Sequence, residues 1–188
     1  MLSYIVRYGI IAGLIVGTPM VWGMLSAKPG DVPVFGMLVA YLIMIVALSS
    51  VFVGVKAYRD KVLGGVIRFL PALGVGLGIS AVASILYAVA WEISSAYSSF
   101  DFIAFYKAYM VDSVKGSGGT PAEVNEAIAN AEAFEKMYRN PLYRIPMVFV
   151  EMFPVGLLVS LISAAVLRNP RVLPVGAGSA GGAGHQKT

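Results

Sequence analysis

Four apolar stretches dominate what this chain can become: Tyr8–Ala27, Val32–Val55, Phe69–Trp91 and Ile145–Leu167. The first three carry no charged side chain, and the fourth carries only Glu151. A bilayer crossing needs about 20 mostly apolar residues in a helix, because lipid offers no partner for free backbone groups. The expectation is therefore an all-α integral membrane protein of four transmembrane helices, at about residues 8–27, 32–55, 69–94 and 145–167. The first stretch is longer than the core of a signal peptide, and three more spans follow it, so it reads as a retained helix.

Composition agrees. Of the 188 residues 58% are hydrophobic and 13% charged, against roughly 25% charged in an ordinary soluble domain. The net charge of +4 does not point to nucleic acid, since Lys and Arg gather at span ends without interleaved aromatics. Cysteine is absent, which removes disulfides and thiolate metal sites. Neither a metal nor a cofactor is expected.

Charge also orients the chain. Lys56, Arg59, Lys61 and Arg68 cluster between the second and third spans, while Arg7, Arg168 and Arg171 lie at the same end of the bundle. The first connection, Ser26–Asp31, holds only Lys28. The positive-inside rule then puts both termini inside. The long connection between the third and fourth spans becomes extracytoplasmic, and it has internal order of its own. Phe102, Phe105, Tyr106, Tyr109 and Met110 recur at helical spacing. Gly116–Gly119 makes a turn, and Thr120-Pro-Ala-Glu123 reads as a capping box opening a second helix to about Tyr138. A helical hairpin over about 100–139 is expected, with apolar faces turned to the bundle or the headgroups. Residues 1–168 make up the membrane domain. Residues 169–188, rich in Gly and Ala, are expected to form a disordered cytoplasmic tail.

Packing between lipid-embedded helices relies on small residues four apart. Gly9, Gly13 and Gly17 form one such ladder, Gly74 and Gly78 a second, Gly156 and Ser160 a third. Pro19 and Pro154 each remove a helix bond and are expected to kink their spans. Pro154 also frees the Val150 carbonyl beside Glu151.

The polar residues inside the spans are the candidate site. Glu92 ends the third span and Glu151 lies about 9 Å into the fourth, so both fall in the outer half of the bilayer with Arg144 in reach. An ionisable group at the centre of a span costs about 2.5–3.5 kcal/mol. Glu151 is therefore expected to face the bundle interior, either paired or protonated. The structural alternative is a polar clamp between the third span, the fourth and the hairpin.

Five blocks together carry a resemblance: Tyr8–Ile15, Gly54–Lys61, Tyr87–Glu92, Met137–Pro141 and Glu151–Leu157. In this order they resemble the bacterial domain-of-unknown-function 4199 membrane protein family, over essentially Met1–Arg168. The resemblance implies a small four-helix protein of the bacterial inner membrane and carries no activity with it. No metalloprotease, serine-hydrolase or phosphate-loop motif is present, so the chain is read as a non-enzyme. The leading expectation is a component that binds a protein or lipid partner, with membrane lipid, a membrane protein or a second copy as candidates. The alternative is a proton- or cation-coupled device using Glu92 and Glu151, which four short helices would need to oligomerise to build.

Overall fold

The computed structural model describes residues 1–26 and 34–174. The described residues form six helices and no strand: α1 (Leu2–Ser26), α2 (Val34–Val62), α3 (Phe69–Tyr97), α4 (Phe102–Gly116), α5 (Pro121–Tyr138) and α6 (Pro141–Leu167). Helices α1, α2, α3 and α6 are long and apolar enough to cross a membrane. The Lys28 connection and the glycine-rich tail from residue 175 lie outside the described residues.

The spanning helices run past the apolar stretches that announce them. α2 continues to Val62, so Lys56, Arg59, Asp60 and Lys61 lie on helix rather than in a loop. Lys56 meets Asp60 one turn on at 2.6 Å, and Arg59 Nε meets the same carboxylate at 2.6 Å. α2 then ends on Gly64, whose φ of 67° is left-handed, with the Gly65 N–H on the Arg59 carbonyl at 3.0 Å. This is the bond pattern by which glycine closes a helix.

Arg59 is fully buried. Its guanidinium also donates to the carbonyls of Val172 at 2.9 Å and Leu173 at 2.7 Å. An interior guanidinium is tolerable only when its donors are filled, and here the chain leaving α6 fills them. Asn169–Leu173, expected to belong to a disordered tail, instead turn over Arg59.

The bundle is assembled on α3. Along α1, a Cβ at Gly9 would meet the Val82 side chain at 2.5 Å, one at Gly13 would meet Leu86 at 2.7 Å, and one at Gly17 would meet Ala90 at 3.3 Å. Gly78 faces Ile5 in the same way. Both helices advance by four residues per contact, so α1 and α3 are parallel. Their ends are tied by Ser98 Oγ donating to the Met24 carbonyl at 2.6 Å.

Against α6 the step has the opposite sign. A Cβ at Gly76 would lie 2.9 Å from Ser160, and one at Gly156 would lie 2.7 Å from Ser80. The Ser80 and Ser160 hydroxyls are 3.2 Å apart, and each also reaches the carbonyl four residues back, at 3.0 and 2.7 Å. With one proton each, the two hydroxyls can make two of these three bonds at a time. Ala72 and Ala164 come level in the same register, as do Ser84 and Met152, and all four are fully buried.

Gly74 corrects one sequence expectation: it is exposed, with open space where a side chain would go. Spacing alone cannot say which of these glycines points inward: Gly76 and Gly78 do, and Gly74 does not. Both α1 and α6 continue as single helices through Pro19 and Pro154.

The two glycines separate experimentally. Gly76→Ala is expected to cost about 1–3 kcal/mol in detergent unfolding through overpacking. Gly74→Ala is expected to be neutral or up to about 1 kcal/mol stabilising, since alanine favours helix. Equal losses at both positions would contradict this packing.

Candidate functional site

The α3–α6 register carries a polar cluster to the end of the bundle where the hairpin sits. Twelve residues beyond Ser80 on α3 lies Glu92, and twelve before Gly156 on α6 lies Arg144. Arg144 Nε donates to Glu92 Oε1 at 2.6 Å and its Nη2 donates to Oε2. The result is the two-pronged pairing for which a planar guanidinium is suited. A third donor, Nη1, reaches the Tyr138 carbonyl at 3.4 Å, and the guanidinium lies 5.7 Å from the centroid of the Tyr138 ring. The ion pair therefore joins α3, α5 and α6.

Helix boundaries place these groups. Asn140 caps α6, its side chain accepting the Leu142 N–H at 3.0 Å, so the helix starts at Pro141 and Arg144 sits in its first turns. Thr120 and Glu123 form the expected capping box of α5, with the Thr120 N–H on Glu123 at 2.7 Å. That cap fixes the course of α5 and brings Tyr138 down at its end.

Beneath the hairpin the two helices meet the bundle through aromatic rings. Trp91 packs edge-on against Phe102 at 5.2 Å between centroids, Phe102 lies 5.2 Å from Tyr138, and Tyr106 lies 4.4 Å from Phe134. The apolar faces of α4 and α5 are thus turned to each other and to the end of α3, as a lid. Within the lid, the Trp91 indole N–H and the Tyr138 hydroxyl are buried side by side, without a geometric hydrogen bond among the described residues. Burial pushes the Tyr138 phenol above its usual pKa, so it stays neutral and available as a donor.

Next to the ion pair, α3 and α6 part to leave an apolar groove of about 460 Å³ open on the lateral face of the bundle. Ile85, Val89 and Ile93 form one wall and Ile145, Pro146 and Phe149 the other, with Glu92 at the end nearest the lid.

Glu151 is elsewhere. It is exposed on the side of α6 rather than facing the bundle interior, and it lies beside the Tyr87 hydroxyl. The two carboxylates do not meet: Glu92 is engaged by Arg144, and Glu151 is seven residues further along α6, about 10 Å by helical rise. Nor do the hairpin cations turn to this site. Lys107 and Arg139 both bind Glu135, at 2.8 and 2.7 Å.

Of the sequence candidates, Glu92 and Arg144 come together and Glu151 stands apart. Tyr138, Trp91 and Tyr87 were not singled out as site residues. Tyr138 was legible as a member of an apolar helical face and Trp91 as an interfacial aromatic, but nothing local marks a tyrosine such as Tyr87, whose role comes from a helix fifty residues away.

A lidded bundle of four helices long and apolar enough to cross a membrane, with the Glu92–Arg144 pair beside a lateral groove, is the architecture of a small helical membrane protein. The family model for the DUF4199 proteins, a family of unknown function, matches residues 7–169, and the chain belongs to that family. Comparison with curated proteins and with solved structures finds no match.

The lid has a pH signature. Lys107, and then Arg139, hold the Glu135 carboxyl below its usual pKa of 4.5. A depressed carboxylate contributes stability that is present above its usual pKa and lost as pH falls through the lowered one. Hydrogen-exchange protection of α4–α5, corrected for intrinsic rates, is expected to fall below about pH 4. Glu135→Gln should lower it already at pH 6 and leave a shallower acid loss, due to the similarly depressed Glu123.

Proposed function

We propose that the protein is a non-enzymatic component of the bacterial inner membrane that binds a phospholipid. One acyl chain lies in the α3–α6 groove and the headgroup sits at the Glu92–Arg144 pair. The observation that carries this reading is the groove itself: its walls are apolar, its long side is open where the spans meet lipid, and Glu92, the partner of Arg144, lines the end nearest the lid. Ile85 to Ile93 extends for about 12 Å along α3, enough to guide part of one chain. Arg144, with Nε and Nη2 on Glu92, keeps further N–H donors for a headgroup phosphate to accept from.

Orientation follows from charge. Arg7, Lys56, Lys61, Arg68 and Arg168 gather at the end of the bundle away from the lid, which favours N-in/C-in with the hairpin extracytoplasmic. In that frame Tyr97 and Tyr143, both largely exposed, belong to the aromatic belt of the outer interface. The alternative built on Glu92 and Glu151 as a coupled carboxylate pair is weakened, because Arg144 occupies Glu92.

Lipid analysis after detergent exchange tests the proposal. Wild type is expected to retain phospholipid in stoichiometric amount. Val89→Trp, which fills the groove from an exposed wall position, should lose it while circular dichroism stays unchanged. Retention of the same lipid by Val89→Trp, or none by wild type, would overturn the reading.

A further inference from the structure

The opposite flank of α6 presents a problem that one chain does not solve. Glu151 is exposed within a membrane-spanning helix, with the buried Tyr87 beside its carboxyl. α6 is also the least covered span, with 22% of its apolar window buried against 33–39% for the other three. Pro154 has no N–H to give, so the carbonyl of Val150, a residue that is 60% exposed, loses its helix donor next to that carboxylate. In lipid every polar group needs a partner. Among the described residues no cation pairs with Glu151, and the Tyr87 hydroxyl beside it is its single polar neighbour.

The flank has the shape of a helix-packing surface. Met147, Glu151, Pro154 and Leu158 follow one another at steps of four, three and four, and all are exposed. That spacing keeps one seam of a helix toward a neighbour. On α2, Tyr41 stands near the same patch: it is 52% exposed and lies within electrostatic range of Tyr87, as Glu151 does. The patch therefore holds an acceptor on α6 and an exposed donor on α2. A surface carrying both is complementary to itself about a two-fold axis, the condition for a symmetric pair.

We infer that this flank is the interface between two copies of the chain in the membrane, with the Tyr41 hydroxyl of each copy donating to Glu151 of the other. Interhelical hydrogen bonds of this kind hold membrane helices together. The interface is independent of the lipid reading, because two residues of helix turn Glu151 about 160° away from Phe149 in the groove. A chain can bind lipid on one flank and its copy on the other, and either can fail alone.

The chain contains no cysteine, which makes crosslinking clean. In full-length protein reconstituted in phospholipid vesicles at increasing dilution, Leu158→Cys is expected to oxidise to a covalent dimer. Val89→Cys on the groove flank is expected to stay monomeric. In an equilibrium dimerisation assay in the same vesicles, Glu151→Leu and Tyr41→Phe should each weaken association by roughly 3- to 15-fold, and Glu151→Gln, which still accepts a hydrogen bond, should retain most of it. Circular dichroism of each variant checks that the helices persist. A monomer at every dilution would overturn the inference. So would crosslinking of Leu158→Cys to a different protein in native membranes, crosslinking through Val89→Cys instead, or equal dimerisation of Glu151→Leu and wild type.

Discussion

The close approach of α3 and α6 places the Ser80–Ser160 contact and, further along the same seam, the Glu92–Arg144 pair. Gly76 and Gly156 admit the backbone of the facing helix, and Ser80 and Ser160 fill the space so created with hydroxyls that touch at 3.2 Å. Lipid gives helices little hydrophobic reason to associate, so contact of this closeness, with hydrogen bonds across it, supplies the attraction. Once the two helices lock in antiparallel four-residue steps, everything further along them is determined. About 24 Å from Gly76 along α3, Glu92 arrives opposite Arg144. A slip of one residue on either helix would turn both charged side chains by about 100° and unmake the fork.

The same geometry sets where the α3–α6 contact is tight and where it opens sideways. Where small residues face each other the helices touch. Nearer the lid the helices separate on one flank into the groove. At the opposite end of the molecule Arg59 closes the structure by collecting the carbonyls of the chain that leaves α6. The Glu92–Arg144 pair and the Arg59 clasp each bring a guanidinium out of water, and each is tolerated because its donors are occupied.

Much of this architecture was legible in the sequence, because in lipid the constraints are local. The spans follow from uncharged length, the start of α5 from Thr120-Pro-Ala-Glu123, and the α1–α3 contact from Gly9, Gly13 and Gly17. The lid was legible as two apolar helical faces. What was not legible depends on which side of a helix looks inward. Gly74 and Gly76 are two residues apart on one span, and no local rule chooses between them. Glu151 is the same problem with a charge: the cost of a carboxylate in lipid says it must be covered, but not by which chain. An interior position was expected, yet the helix turns it outward, and this moves the question from the monomer to its neighbours. The Arg59 clasp was hidden for a different reason. Arg59 reads as one of several topogenic cations, and its partners are backbone carbonyls more than a hundred residues away.

The central claim is that the α3–α6 register brings Glu92 and Arg144 into one interaction. A double-mutant cycle in detergent unfolding, with Glu92→Gln, Arg144→Gln and both together, measures it directly. The account predicts a coupling of about 1.5–3 kcal/mol, the scale of a hydrogen bond to a charged group, so that the double variant costs scarcely more than either single one. Additive losses would mean that the two side chains act separately and that the register is not the one described.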